Sequence, residues 1–155
     1  MVNLSELTNS PSRTRKIANI LAQEILGTKL KKTALVLALE GELGAGKTTF
    51  LQGFARGLGI KEKILSPTFV IMRKFKIRKK SCDFANFYHI DCYRIGKAKE
   101  ILDLGFREII LNPRNIVAIE WADRIKKILP KNTLALKFKF IDKLKREIVV
   151  KSNNG

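Results

Sequence analysis

Gly41-Glu-Leu-Gly44-Ala-Gly46-Lys47-Thr48 is a full match to the pattern G-x-x-x-x-G-K-[ST]. Such a pattern becomes a phosphate-binding loop only between a buried strand and a helix, and the flanking residues supply both. Upstream, Ala34-Leu-Val-Leu-Ala-Leu39 is a short, continuous apolar run, as expected of a strand covered on both faces in a parallel sheet. Downstream, Thr48 to Leu58 carries Phe50, Leu51, Phe54, Ala55 and Leu58 at helical intervals and meets a stop at Gly57 or Gly59. Glycines let the loop wrap tightly, so that its N–H groups and the positive end of the following helix face a phosphate. Lys47 is then placed to reach the terminal phosphates, and the Thr48 hydroxyl to ligate Mg²⁺. The competing reading is a glycine turn with an incidental Lys-Thr pair, against which the strand and helix weigh.

Working outward, Ser10-Pro11 supplies an N-cap and a helix-compatible first position before Ile17, Ile20, Leu21, Ile25 and Leu26, and Gly27 closes that helix. Residues 1–9 are polar and are expected to be flexible. Beyond the loop helix the period changes to two. Phe69, Ile71, Phe75 and Ile77 share one face, a second strand runs from about Phe84 to Ile90, and Arg78 to Asp83 connects them as an antiparallel hairpin. Ala98 to Leu111 reads as helix broken at Gly105 and closed by Asn112-Pro113, and Ile116-Val-Ala-Ile119 as a second buried strand. A helix from Ala122 to Leu129 and a hairpin turning at Asp142-Lys143 complete the pattern. The expectation is one domain over 1–155, an α/β, P-loop NTPase-like three-layer sandwich with a mixed parallel and antiparallel sheet.

Composition bounds the rest. Hydrophobic residues are 45% of the 155, too many for a chain that stays disordered. No apolar run approaches the roughly 20 residues of a membrane helix, and Met1 to Ser10 lacks a signal-peptide pattern, so no membrane partner and a cytoplasmic location are expected. Cys82 and Cys92 are too few for a disulfide framework. The 31 Lys and Arg against 14 Asp and Glu give a net charge of +17, which suits a nucleic acid, an acidic partner or a merely soluble surface. Arg73, Lys74, Lys76, Arg78, Lys79 and Lys80 concentrate it at the first hairpin, where they meet RNA phosphates or simply protect a solvated edge.

Three further segments carry chemistry. A phosphate-binding loop needs an acid at the end of a neighbouring strand, and Glu120 follows Ile116–Ile119; it serves as a Mg²⁺ ligand, as the group polarising the attacking water, or as half of a structural ion pair. Trp121 beside it is either core or an aromatic next to the nucleotide. Ser66-Pro67-Thr68-Phe69 is a strand-entry turn or a switch-like loop in which Thr68 senses a γ-phosphate. His89, Asp91 and Tyr93 fall on one face of a strand end, as a site or as a hydrogen-bonded polar patch. Cys82, His89 and Cys92 lack the paired spacing and fourth ligand of a zinc site.

Taken in order, Gly-Glu-Leu-Gly-Ala-Gly-Lys-Thr-Thr at 41–49, Ser-Pro-Thr-Phe at 66–69, His-Ile-Asp-Cys-Tyr-Arg at 89–94 and Ile-Glu-Trp-Ala-Asp at 119–123 resemble the TsaE family, from near Ser10 to the last hairpin. The resemblance implies a small bacterial ATPase of tRNA threonylcarbamoyladenosine biosynthesis, bound to the TsaB–TsaD heterodimer, whose nucleotide cycle supports repeated modification of the adenosine beside the anticodon. It implies that Gly44, Ala45, Gly46, Lys47, Thr48 and Thr49 hold the phosphates of ATP, that Thr48 and Glu120 hold Mg²⁺, and that Asp91, Thr68 and Trp121 lie around the nucleotide. Lys47, Glu120 and Asp91 are then the catalytic candidates. Pro11 to Thr14 and Lys145 or Arg146 become candidate contacts closing over the nucleotide. Two departures stand out: Ala122 follows the Trp where family members commonly have Pro, and the stretch Arg73 to Lys80 is unusually basic, which suggests direct tRNA contact besides contact through the complex. Hydrolysis is expected to be slow in isolation, because a loop that holds triphosphate still needs supplied charge at the transition state. The rival readings are a small phosphotransferase and a nucleotide-dependent assembly or RNA-binding module.

Overall fold

A computed structural model describes residues 3–42, 44–65 and 71–152. The strands are β1 (Asn3–Thr8), β2 (Leu35–Glu40), β3 (Met72–Lys76), β4 (Asn86–Asp91), β5 (Asn115–Glu120), β6 (Leu134–Phe140) and β7 (Arg146–Ser152). The α-helices are α1 (Pro11–Leu26), α2 (Lys47–Gly57), α3 (Ala98–Leu102) and α4 (Phe106–Leu111). All seven strands form one sheet in the order β1-β7-β6-β2-β5-β4-β3. β2 runs parallel to both β5 and β6, and β4 parallel to β5, while β1–β7, β3–β4 and β6–β7 are antiparallel. The apolar runs 34–39 and 116–119 are the adjacent central strands, and every residue of β5 is buried.

Each sheet face carries its own apolar layer, which makes the three-layer arrangement. One layer joins α1 and α2 to Leu37, Leu39, Phe87, Ile116 and Phe138; the other joins α3, α4 and Ile125 to Val36, Ala38, Ile90, Val117 and Ile119. Phe50 of α2 meets Phe138 edge-on at 5.3 Å. Ser10 caps α1 by accepting from the Arg13 N–H at 3.1 Å, with Pro11 in the first turn. α1 and α2 lie backbone against backbone: a Cβ on Gly53 would stand 2.2 Å from the Arg15 carbonyl oxygen, and one on Gly57 2.6 Å from that of Asn19.

The structure departs from expectation in four places. Residues 3–8, within the stretch expected to be flexible, form the edge strand β1, in register with β7 from Asn3↔Lys151 to Thr8↔Arg146. The bare edge of β7 offers a row of backbone groups that any extended chain satisfies, whatever its side chains. Residues 122–129 form a 3₁₀ helix, Ala122–Ile128, broken at Ile125 (φ −124°). Ile71 packs in the layer opposite Phe75 and Ile77. Of the six clustered cations, Arg73, Lys74 and Lys76 belong to β3, and only Arg78, Lys79 and Lys80 lie in the connection to β4. The segment 66–69, with Thr68, lies outside the described residues. Among those described, no helix is long and apolar enough to cross a membrane.

Candidate functional site

Parallel strands deliver their C-terminal ends to one edge, and ligands of open α/β sheets bind there. β2 ends at Glu40, β5 at Glu120 and β4 at Asp91, with Asp91 paired directly to Glu120 and Leu39 to Glu120 across the ladders. The loop 41–46 leaves β2 at that edge and enters α2. Gly41 (φ +152°) fits because a Cβ there would stand 2.6 Å from the Phe138 carbonyl oxygen, and Gly46 (φ +99°) is the α2 N-cap with no side-chain cap bond. The first N–H groups of α2 therefore present uncapped positive ends, with Thr48 and Thr49, both half-buried, in its first turn. Around Gly44 (φ +79°) nothing would lie within 4 Å of a Cβ, so this part of the loop faces open space.

Lys47 is 6% exposed; its Nζ donates to the Gly41 carbonyl oxygen at 2.5 Å and sits 4.1 Å above the Trp121 ring. Burial pushes its ammonium below the usual lysine value, against the opposing attraction of Glu120, Asp91 and Asp123. Glu120 is buried, and its Oε2 lies 2.8 Å from Nε2 of the buried His89. His89 and Asp91 share the strand face that carries Glu120, on the same side of the sheet as α2. Asp91 accepts from the Tyr93 N–H at 2.9 Å. Tyr93 has left the strand and lies against Trp121 at 5.2 Å, with Arg124 5.9 Å from the Trp121 ring. Trp121 holds φ +57°, a left-handed conformation rare for a bulky residue and retained where the surroundings over-determine it.

Burial also raises the Asp91 carboxyl above its ordinary 3.8, offset in part by the Tyr93 N–H. Between 3.8 and the raised value the folded state binds more protons than the unfolded one, so this group makes stability fall as pH rises through that window. Asp91→Asn is therefore expected to be more stable than the parent at pH 7, with the difference vanishing below about pH 3.8; denaturant unfolding of both at the two pH values checks it.

The structure thus brings Lys47, Thr48, Glu120, Asp91 and Trp121 to one edge. Arg146 of β7 joins them, its Nε donating to the Gly44 carbonyl oxygen at 3.1 Å and its Nη1 to the Asp142 carbonyl oxygen at 2.5 Å. Thr14 lies in the junction between β1 and α1, its hydroxyl donating to that of Thr8 at 2.9 Å, and Thr8 stands opposite Arg146 in the β1–β7 ladder. The pairing of His89 with Glu120 was hidden in the sequence because it needs β4 placed parallel to β5. The same holds for Tyr93 and Arg124 around Trp121. Among the described residues no group of three His, Cys, Asp or Glu is arranged to hold a metal, and burial pushes the Cys92 thiol up to about 12. Mg²⁺ asks for less, since it keeps waters and substrate phosphates as ligands and takes one or two hard protein oxygens. The hydroxyl of Thr48 and the carboxylate of Glu120 are donors of that kind.

The family model for the threonylcarbamoyl adenosine biosynthesis protein TsaE matches residues 8–148. The tRNA threonylcarbamoyladenosine biosynthesis protein TsaE of Bacillus subtilis is 37% identical over 148 residues, covering 96% of this chain and 85% of that protein. That of Treponema pallidum is 34% identical over 122 residues, covering 79% and 85%. The crystal structure of Bacillus subtilis YdiB superposes with a TM-score of 0.73 at 32% identity, over 99% of this chain and 87% of that one.

Proposed function

The chain belongs to the TsaE family of threonylcarbamoyladenosine biosynthesis proteins, and from that membership we propose that it is the Mg²⁺-dependent, partner-regulated ATPase of that pathway, acting on tRNA with the TsaB–TsaD pair in the cytoplasm. The observation that carries the reading is the meeting of Lys47, Glu120 and Asp91 with the uncapped start of α2 at the carboxyl edge of β2, β5 and β4. In this reading the N–H groups of Gly44 to Thr49 bind the phosphates of ATP. Lys47 turns from the Gly41 carbonyl to the terminal phosphate, a move that also releases the Trp121 ring. Thr48 and Glu120 would hold Mg²⁺, which would supply positive charge to offset that of the phosphates. Glu120, oriented through His89, also faces the attacking water, and Trp121 with Tyr93 walls the nucleotide on the partner-facing side. Arg146 holds the loop from the last hairpin. The six basic residues from Arg73 to Lys80 supply tRNA contact in addition to that made through the complex.

The test is ATP hydrolysis by the purified protein with Mg²⁺, alone, with TsaB–TsaD, and with TsaB–TsaD and tRNA, against Lys47→Ala as blank. A slow basal rate that rises at least about tenfold on adding the partners is expected, since charge supplied at the transition state is what unassisted phosphate-loop enzymes lack. A rate unmoved by the partners, with no complex formed, rejects the reading.

A further inference from the structure

The end of the molecule opposite the nucleotide edge is cationic. There the N-terminal ends of β2, β5 and β6 meet the end of α2 and the β3–β4 connection. The segment between α1 and β2 brings Lys29, Lys31 and Lys32, all exposed, and the β3–β4 connection brings Arg78, Lys79 and Lys80, also exposed. Lys61 after α2, Arg114 before β5 and Lys131 before β6 extend the same surface.

These segments are tied together. The Lys79 stem lies along the end of α2, 3.1 Å from where a Cβ on Gly59 would stand. Arg114 Nε donates to the Asp83 carbonyl oxygen at 3.1 Å, and the Arg114 carbonyl accepts from the Ala85 N–H at 2.8 Å. A cavity of about 70 Å³ opens between the segments, lined by Thr28, Lys29, Lys31, Phe84, Asn132 and Leu134. Asp83 and Glu62 are the two acids in the segments 27–34, 57–65, 77–85, 112–114 and 129–133, against ten Lys and Arg. Acids gather instead at the other end, where Glu40, Asp91 and Glu120 close β2, β4 and β5 and Asp123 follows in the 3₁₀ helix.

We propose that this cationic end is a binding surface for the phosphate backbone of folded RNA, separate from the nucleotide edge and able to be filled at the same time. The proposal rests on the tRNA contact read above for Arg78, Lys79 and Lys80 and extends it to a whole surface; it does not rest on ATP hydrolysis. Charge complementarity selects the occupant. Protein interfaces are depleted of Lys and centre on aromatic or apolar anchors, whereas nucleic-acid interfaces are strongly positive. Most of the exposed large apolar side chains lie elsewhere, Leu4 and Leu7 on β1, Ile20 on α1, Tyr93 at the nucleotide edge, Leu104 between α3 and α4, and Phe140, Ile141 and Leu144 around the β6–β7 turn. Leu65 follows Lys61 after α2, and Leu111 stands at the border of the cationic end.

The experiment is fluorescence anisotropy of a labelled tRNA transcript with the full chain across 50 to 300 mM salt, with duplex DNA of similar length as competitor. Two triple variants, Lys29→Ser/Lys31→Ser/Lys32→Ser and Arg78→Ser/Lys79→Ser/Lys80→Ser, are compared with Lys16→Ser/Lys99→Ser/Lys143→Ser, which removes equal charge outside these segments. Each of the first two is expected to weaken binding at least about tenfold near 0.15 M salt and to flatten the salt slope by about two, as loss of three phosphate contacts requires. The third is expected to bind like the parent, and ATP hydrolysis by the protein alone, without partners or tRNA, to be unchanged in all three, so that failure here is distinct from failure of the ATPase reading. Unchanged affinity and slope in the first two variants overturn the proposal. Equal weakening by the third overturns it too, because net charge rather than this surface would then be responsible. Duplex DNA competing as well as unlabelled tRNA overturns RNA as the occupant. Loss of protein-partner association in the first two variants, with tRNA binding intact, overturns it in favour of an acidic protein.

Discussion

Lys47→Met is expected to lower ATP hydrolysis at least about 100-fold while leaving the fold as stable as the parent or more so. On the proposed ATPase reading, the loss of activity follows from removing a positioned cation from a transition state whose charge sits on phosphate oxygens; deleting one such donor costs about 10²–10³ in rate. The retained stability follows from the ammonium's surroundings. It is buried, and desolvation depresses its pKa in spite of Glu120, Asp91 and Asp123. The carbonyl of Gly41 and the ring of Trp121 hold it without restoring what water supplied. Methionine keeps an unbranched stem against Trp121 and removes the charge. Since the native state releases this proton more readily than the unfolded chain, any stability advantage of the variant is greatest at neutral pH and shrinks as pH rises to 10.5. Steady-state hydrolysis and thermal unfolding on the same preparations check both halves. A variant that loses activity because it melts would contradict this account of Lys47.

Gly53→Ala is expected to destabilise the protein by about 3 kcal/mol, the upper part of the range for overpacking a tight interface. At this chain length that lowers the midpoint of thermal unfolding by roughly 6–12 °C. The cause is geometric. The added Cβ would stand 2.2 Å from the Arg15 carbonyl oxygen and 2.5 Å from its Cα, so backbone, not a mobile side chain, must move. In an exposed helix the same change would stabilise, because alanine is the better helix former. α2 starts at the glycine loop, so separating it from α1 also shifts Lys47 and Thr48, and on the proposed reading nucleotide affinity is expected to fall with stability. A midpoint at or above the parent's would show that α1 and α2 do not touch at Gly53.

Much of this was legible along the chain. The glycine loop with a strand before and a helix after it, the break at Gly105, the two apolar strand runs and the last hairpin each depend on residues close in sequence. Local periodicity and turn chemistry therefore suffice to read them. The edge strand β1 was not legible, because what orders 3–8 is the open backbone edge of β7, some 140 residues away. Nor was the 3₁₀ form of 122–128, where apolar spacing is compatible with either helix and the left-handed turn at Trp121 decides the entry. Gly53 reads as an ordinary helix residue, and Gly57 only as a helix stop, until α1 lies against them.

At the site the division is the same. The kinds of groups were written in the sequence: a lysine and a threonine at a helix start, an acid closing a buried strand, and a second acid two residues after a histidine. Which of them meet was decided by strand order. Only β4 set parallel beside β5 brings His89 to Glu120 and Asp91 level with it, and only the antiparallel return of β7 carries Arg146 to the loop at Gly44. Sequence determines what each segment can form and what chemistry it carries, because those are properties of neighbouring residues. Tertiary structure decides partners and charge states, because contact and desolvation are set by residues that are distant in the chain and adjacent only when it is folded.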